Sequence, residues 1–427
     1  MDKAEAGDVA DKVGERDGRL NILYVDGVGP FGGASRSLFE MLRAGHRDRF
    51  RRLFLVQRGT ASDYYSQVAD DFVSSPGITR FDNTRFSHYR GVRWLVLLRE
   101  LAYIPFTIAA LLRARRRWRR VDVVHANEVL EIGPAILASL IYRAPLIVHV
   151  RSLQRRDWSS IRTRLLHALL RRYASRIIAI DEGVRATLPP DLPVTVIHNS
   201  FTPKPAKQPD VAMRTALSRF TATKALKIGF VGNLHASKGV DCVVDAAEIL
   251  QRQGRSCEFL LVGGHTARAS GLGWRLLDLV GLAQNRGDAI AERLATSPAR
   301  DHIHLLGATP DIDALYSMID VNLFPSHFDA PGRPVFEAAF YAVPSIVAVR
   351  APHPDTLVDG ETGVAIAAPD GALLASALAK LDDNRSLVVQ MGEAAKALAQ
   401  RNFTPSINAA RMEGVYEEVA RTGQRGN

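Results

Sequence analysis

A short apolar run that stops at turn residues, then a helical pattern, then a second short apolar run leaves a chain few folds to choose from. Residues 321–363, VNLFPSHFDAPGRPVFEAAFYAVPSIVAVRAPHPDTLVDGETG, have this form. Val321 to Phe324 stops at Pro325-Ser326 and reads as a buried strand ending in a loop. Ser326 to Arg333 is rich in turn residues, and Pro334 suits the first position of a helix, where a missing N–H costs nothing. The helix is expected from Val335 to about Val343, ending before Pro344, with a second strand from Ser345 to Val349. Strand, crossover helix, strand is the unit of a parallel sheet, and such sheets bind ligands beyond the carboxyl ends of their strands.

Two acids fall at that end, Asp329 in the loop and Glu337 expected in the first helical turn, with Gly332 and Arg333 between them. Acceptors flanking free helix N–H groups suit a ligand with many hydroxyls and a phosphate. An acid in a first helical turn is equally favoured by the helix dipole, and Asp in a Pro-Gly loop is ordinary turn chemistry. Spacing alone leaves both readings open.

The same alternation runs through the chain. Asn21–Asp26 is expected as a strand, followed by the loop Gly27–Gly33, which includes Gly32 and Gly33, and a helix from Ala34. Glycines at that junction let the backbone approach an anion or a sugar, though a bare tight turn would look the same. Arg51–Gln57, Val121–His125, Pro145–Val150, Arg176–Ile180 and Val194–His198 read as further strands. His125 and His149 lie at the ends of two of them, as ligand-edge groups or as satisfied structural histidines. Residues 204–224, rich in Pro, Lys and Thr, read as a linker between domains 21–203 and 225–402. The second half restarts with Leu226–Val231 and a Gly-containing loop in which Asn233 and Lys238 precede a helix, Val240–Gln251. A lysine at a helix N-terminus suits a diphosphate. Glu258–Val262 and His302–Leu305 are further strands, with a helical stretch from Trp274 to Ala295 between them. Leu373–Leu381, Leu387–Ala399 and Ser406–Val419 are closing helices.

Composition excludes several classes. Hydrophobic residues at 47% and charged residues at 23% fit a globular protein with large cores. Cys242 and Cys257 are the only cysteines, so a disulfide framework and a four-thiolate zinc site are excluded. Residues 1–20 are polar, lack the apolar core of a signal peptide and are expected to be a disordered leader.

Lysine and arginine outnumber acids 55 to 45, and arginines cluster at 113–120 (RARRRWRR) and from Arg151 to Arg176. Such a field fits nucleic acid, an anionic membrane or a phosphate-bearing substrate. No interleaved aromatic platform supports nucleic acid. Trp94–Leu112 is apolar and of nearly membrane-spanning length, but Arg99, Glu100 and Pro105 inside it point to a buried or interfacial helix. With the run Arg113 to Arg120 it suits an anionic membrane surface, or equally a solvated basic face. Arg155–Tyr173 is expected as a basic amphipathic helix with Trp158, Ile161, Leu165, Leu166, Leu169 and Leu170 on one side.

The stretch from Asp329 to Glu337 resembles the signature of retaining glycosyltransferases of the GT-B architecture, glycosyltransferase family 4, in which two acids spaced E-x7-E flank a Gly-rich loop. Glu337 fits the second acid, Gly332-Arg333 the loop, and Asp329 replaces the first acid with a shorter carboxylate. Gly32-Gly33 resembles the family's Gly-Gly-Ala loop beside the sugar or acceptor. His149 resembles its strand-end histidine near the donor sugar. Lys238-Gly239 matches its Lys-Gly, while Asn233 stands where the family carries an arginine that, with the lysine, neutralises the diphosphate; Arg333 or Arg350 is then the candidate replacement.

The resemblance implies an α/β protein of two Rossmann-like doubly wound parallel-sheet domains facing across a cleft, with residues 403–427 a terminal helix crossing back to the first domain. The implied enzyme moves a hexose-type sugar from a UDP or GDP sugar, with retention, to a hydroxyl of a glycan or lipid-linked acceptor in surface polysaccharide or glycolipid synthesis. Asp329, Lys238 and His149 are the implied catalytic residues, and Asn233, Lys238, Gly332, Arg333 and Glu337 the donor-binding set. Neither a metal nor a cofactor is expected, and the implied place is the cytoplasm, peripheral on the inner face of the cell membrane. Nucleotide-sugar isomerase or hydrolase activity, or a non-catalytic GT-B subunit, are the alternatives.

Overall fold

Consecutive buried side chains along a strand mean that both of its faces are covered, as in a parallel sheet layered between helices. Ile22–Asp26 are all buried, and so are the four residues Val321–Phe324. The computed structural model describes residues 18–85, 94–204, 209–264 and 287–425. They divide into two units: one holds the chain up to Ile180, Val184–Ser200 and everything from Pro405, and the other holds Asp181–Gly183 and Phe201–Thr404.

The first unit contains β1 (Leu20–Asp26), β2 (Phe50–Gln57), β3 (Asp71–Ser75), β4 (Val123–Ala126), β5 (Leu146–Val150), β6 (Ala174–Ala179) and β7 (Val194–Val196) in the order β3-β2-β1-β4-β5-β6-β7. Every pairing is parallel. The second contains β8 (Leu226–Val231), β9 (Cys257–Val262), β10 (Ile303–Gly307), β11 (Val321–Phe324), β12 (Ser345–Ala348) and β13 (Gly363–Ile366) in the order β10-β9-β8-β11-β12-β13, again all parallel. The order reverses between β1 and β4 in one sheet and between β8 and β11 in the other. Those are the switch points at which doubly wound sheets open a crevice for ligands.

In the first unit the helices Val96–Arg117, Ile132–Tyr142 and Ile161–Tyr173 send Leu111, Ile136 and Leu166 into one core with Leu23 and Val148. On the other face of the sheet, helices Gly33–Ala44 and Pro405–Arg425 pack together, with Leu38 and Met412 in a core with Ile22 and Phe54. In the second unit, helices Val240–Arg252 and Gly371–Asp383 cover β8 and β9 through Val243, Leu250 and Leu378.

Several boundaries differ from expectation. Residues up to 17 of the expected leader lie outside the described residues, and Leu20 already pairs with Phe50. The helix expected from Arg155 begins at Ile161, so Trp158 precedes it. Its apolar residues do not share one side: Leu166 and Leu170 are buried, whereas Ile161 and Leu165 are exposed. The helix expected over Trp94–Leu112 runs from Val96 to Arg117, takes Pro105 into its interior and carries the first arginines of the basic run in its last turns. Within the linker segment, Val211–Ser218 is a helix whose first turn is capped by Asp210, the carboxylate accepting the N–H of Met213. Of the helical stretch Trp274–Ala295, residues 274–286 lie outside the described residues and Gly287–Thr296 is helical.

Candidate functional site

β8 and β11 are neighbours in the second sheet, so the loops leaving their carboxyl ends share one edge. Lys238 closes a single 3₁₀ turn, Ala236–Lys238, and Gly239 follows at φ 78° before helix Val240–Arg252. A Cβ at Gly239 would stand 1.9 Å from the carbonyl oxygen of Pro325, so only glycine lets the two loops close on each other. The N–H of His327 then donates to the carbonyl of Ser237 at 3.1 Å. Lys238 Nζ lies 4.7 Å from the ring centre of Phe328 and 5.8 Å from that of Phe324, within cation–π range. Burial lowers the Lys238 pKa. Gly332 presses on the far loop's side of the same ring: a Cβ there would meet Phe324 at 2.3 Å. Lys238, Phe324 and Gly332 therefore connect one switch-point loop to the other.

Gly332 caps helix Arg333–Ala339, so Glu337 stands in its second turn, not the first, and Pro334 is the second helical residue. The helix is held at its start by Asn322, whose amide donates to Pro334 O and Ser345 Oγ. Glu337 is 3% exposed and accepts from Arg333 Nε at 2.9 Å and from the Tyr316 hydroxyl at 3.1 Å. Asp329 takes the left-handed conformation, φ 53°, which a short polar side chain tolerates. Its carboxylate accepts from the backbone N–H, Nε and Nη2 of Arg350 at 3.0, 3.1 and 2.7 Å. Both arginines considered as replacements for the charge missing at exposed Asn233 are thus paired, one with each acid.

The first unit has its own switch point, between β1 and β4. Gly32 caps helix Gly33–Ala44 with its N–H donating to Ser35 Oγ at 2.9 Å, and a Cβ at Gly32 would meet nothing within 4 Å. Asp26, at the end of β1, accepts from Val28 N–H, Asn127 Nδ2 and the Tyr65 hydroxyl. Glu131 Oε1 accepts the N–H of Gly27 at 3.2 Å. Glu128 accepts from the N–H groups of Val129 and Arg151 and from Ser152 Oγ, and burial still pushes its pKa up to about 7. Burial raises Asp26 and Glu131 as well. Arg151 sits among these carboxylates, donating through Nε to Asn127 and through Nη1 to Asn199.

His149 is 2% exposed, with its ring 5.5 Å from that of His125 and nearly parallel to it. Arg151 Nη2 donates to His149 Nδ1 at 3.2 Å, and burial, then the Arg151 and His125 charges, holds the imidazole well below the usual histidine range. His125 contacts the Tyr416 hydroxyl through Nδ1 at 2.6 Å, and burial takes it down to about 3. Sequence reasoning missed Asp26, Asn127, Glu128, Glu131 and Arg151. The available signal was polar residues at or just past the ends of the apolar runs of β1, β4 and β5, three strands that turn out to lie side by side. Among the described residues, no group of three or more His, Cys, Asp or Glu side chains is arranged to hold a metal ion.

Two doubly wound parallel sheets, each with chemically equipped loops at its switch point, define the GT-B class, and the chain is a glycosyltransferase. Its second half carries the domain described as Glycosyl transferases group 1, matched over residues 218–398, and a Glycosyltransferase Family 4 model matches residues 31–204. Glycogen synthase of Mycobacterium tuberculosis is 27% identical over 73% of this chain and 71% of its own length. The lipopolysaccharide core biosynthesis mannosyltransferase LpcC of Rhizobium leguminosarum is 27% identical over 72% of this chain and 80% of its own. Among solved structures, Anabaena HepE in complex with UDP superposes with a TM-score of 0.70 at 20% identity, covering 93% of this chain and 100% of HepE.

Proposed function

We propose that this chain transfers a hexose-type sugar from a UDP or GDP sugar to a hydroxyl of a glycan or lipid-linked acceptor, with retention at the anomeric carbon. The observation that carries the reading is the link from Lys238 through Phe324 to Gly332 across the β8 and β11 loops. It sets a partly desolvated cation beside the glycine loop that leads to Glu337 and Asp329. The names of LpcC and of the HepE–UDP complex support a sugar nucleotide donor and a glycan-type acceptor.

In this reading Lys238 holds the diphosphate, with Asn233, Gly332 and Arg333 lining it. Glu337 accepts the ribose hydroxyls through Oε2, which keeps an acceptor position beside the Tyr316 contact, while Oε1 takes both Nε and Nη2 of Arg333. Asp329, steadied by Arg350, meets the sugar hydroxyls. His149 contacts the sugar, and the Gly32-Gly33 loop contacts the acceptor. As the bond from the anomeric carbon to the phosphate oxygen breaks, positive charge grows on the sugar and negative charge on the diphosphate, which Lys238 stabilises where water is excluded. The acceptor oxygen bonds to the same face, and its proton passes to the departing phosphate. The charge comes from the protein's own cations, so the reading calls for no metal.

A thermal-shift screen with nucleoside diphosphates and nucleotide sugars tests it, because a ligand that binds only the folded state raises apparent stability. Stabilisation by UDP or GDP that Lys238→Ala abolishes is the expected result. Failure of every nucleotide to stabilise the wild-type chain sinks the reading.

A further inference from the structure

Helix Val96–Arg117 has no charged side chain between Leu101 and Leu112. A helix that is apolar all round belongs in a core or in lipid. One side of this one is in the core, through Thr107, Ala110, Leu111 and Ala114. The opposite side is in solvent: Leu98 is 61% exposed, Leu101 59% and Leu112 51%, and Ile108 is exposed with them. Positions 98, 101, 108 and 112 fall on one stripe of an α-helix. Two neighbouring helices extend the surface. Ile132–Tyr142 packs against Val96–Arg117 and exposes Leu137 and Leu140, and Ile161–Tyr173 exposes Ile161 and Leu165. All three bury their inner sides in the same core over the same face of the first sheet, so their outer sides form one layer.

Cations adjoin the apolar stripe. Helix Val96–Arg117 ends in Arg113, Arg115, Arg116 and Arg117, Arg119 and Arg120 follow directly, and Arg171 and Arg172 close Ile161–Tyr173. Exposed leucines and isoleucines beside a cluster of arginines fit an interface that is apolar below and anionic at its rim, which is the boundary layer of an acidic bilayer. No helix among the described residues is long and apolar enough to cross a membrane, so the attachment is to the surface. We infer that the outer layer of these three helices docks the first unit onto an anionic membrane, with the Leu98–Leu112 stripe inserted at the headgroup boundary and Arg113–Arg120 on the acidic headgroups.

The inference goes beyond the transfer reaction and is tested without it. The full chain is sedimented with vesicles of phosphatidylcholine containing phosphatidylglycerol, and with vesicles of phosphatidylcholine alone. The expected result is binding to the acidic vesicles only, weakening as salt rises. Two variants separate the contributions: Arg116→Gln with Arg119→Gln removes charge, and Leu98→Ser with Leu101→Ser removes apolar area. Both sets of positions are exposed, and retention of the wild-type circular dichroism is checked. Each arginine near an acidic surface is worth roughly a five-fold change in partition, so the arginine pair lowers binding by roughly 25-fold. Loss of binding in both variants supports the inference. Equal binding to neutral vesicles, no binding to either, or undiminished binding by the variants overturns it. So does a wild-type dimer in sedimentation equilibrium that the leucine variant converts to monomer, since a second copy would then be what covers this face.

Discussion

Arg151 donates from Nη2 to His149 Nδ1 at 3.2 Å. A guanidinium has no acceptor, so His149 must offer a lone pair at Nδ1 and carry its proton on Nε2. Arg151, held by Asn127 beyond β4 and Asn199 beyond β7, thereby sets the tautomer of a strand-end histidine. Selective ¹⁵N labelling is expected to show His149 in the Nε2–H form across the neutral range. Burial is the larger cause of the neutral imidazole, and in Arg151→Met the second, the nearby charge, is gone, so His149 titrates at higher pH and the acid limb of the pH–rate profile moves upward with it. A profile unchanged in the variant removes Arg151 from this role.

Lys238→Ala is expected to lower kcat for transfer by about a hundred- to a thousand-fold, the cost of losing one preorganised group facing the leaving charge. The melting temperature without ligand is expected to hold, because the ammonium gains little from its two aromatic neighbours in the free state. Steady-state rates at saturating donor check this.

Glu337 and Arg333 form a buried ion pair, 5% and 12% exposed at their side chains. Removing one member of such a pair strands the other, so Glu337→Gln is expected to cost about 3–5 kcal/mol of stability. Adding Arg333→Met should recover most of that loss while leaving nucleotide affinity low. Urea unfolding of the single and double variants measures the first effect, and nucleotide titration the second.

Arg350 and Asp329 are the contrasting case. The arginine is mostly in solvent, so Arg350→Ala is expected to leave the melting temperature nearly unchanged. Freed from the two side-chain donors on Oδ2 and left with the backbone N–H of residue 350, the Asp329 carboxylate loses part of its orientation, and the donor KM is expected to rise with a smaller change in kcat.

His125 is neutral in the folded chain, held at about 3 against 6.5 in the unfolded chain. Below pH 6.5 the unfolded state therefore binds a proton that the folded state refuses, and stability falls as pH falls. The contribution lost is about 2–3 kcal/mol between pH 6.5 and about pH 4.5. His125→Gln removes this titration and is expected to flatten that part of the curve of unfolding free energy against pH, read by urea denaturation.

What the order of residues determined by itself was local. Apolar runs such as Leu226–Val231 and Val321–Phe324 are β-strands because their side chains suit burial on both faces, and the helical patterns between them make parallel pairing the remaining solution. The glycine loops after β1, β8 and β11 were visible for the same reason, as breaks in hydrophobic patterning. Boundaries set by packing were less legible. The helix at Arg333 starts two residues before Val335 because Gly332 fits against Phe324 and Asn322 holds Pro334, and that moves Glu337 into the second turn.

Tertiary structure alone decided the partners. Asp329 with Arg350 beyond β11 and β12, Arg151 with Asn127 and Asn199 beyond β5, β4 and β7, and Gly239 against Pro325 across the reversal between β8 and β11 each depend on which strands the sheet brings close. Residues 20 to 90 positions apart meet there because parallel strands need long crossovers, and side-chain periodicity carries no record of which crossover lands beside which. The sequence specified the strands and their loops, and the order of the sheets chose which loops would face one another.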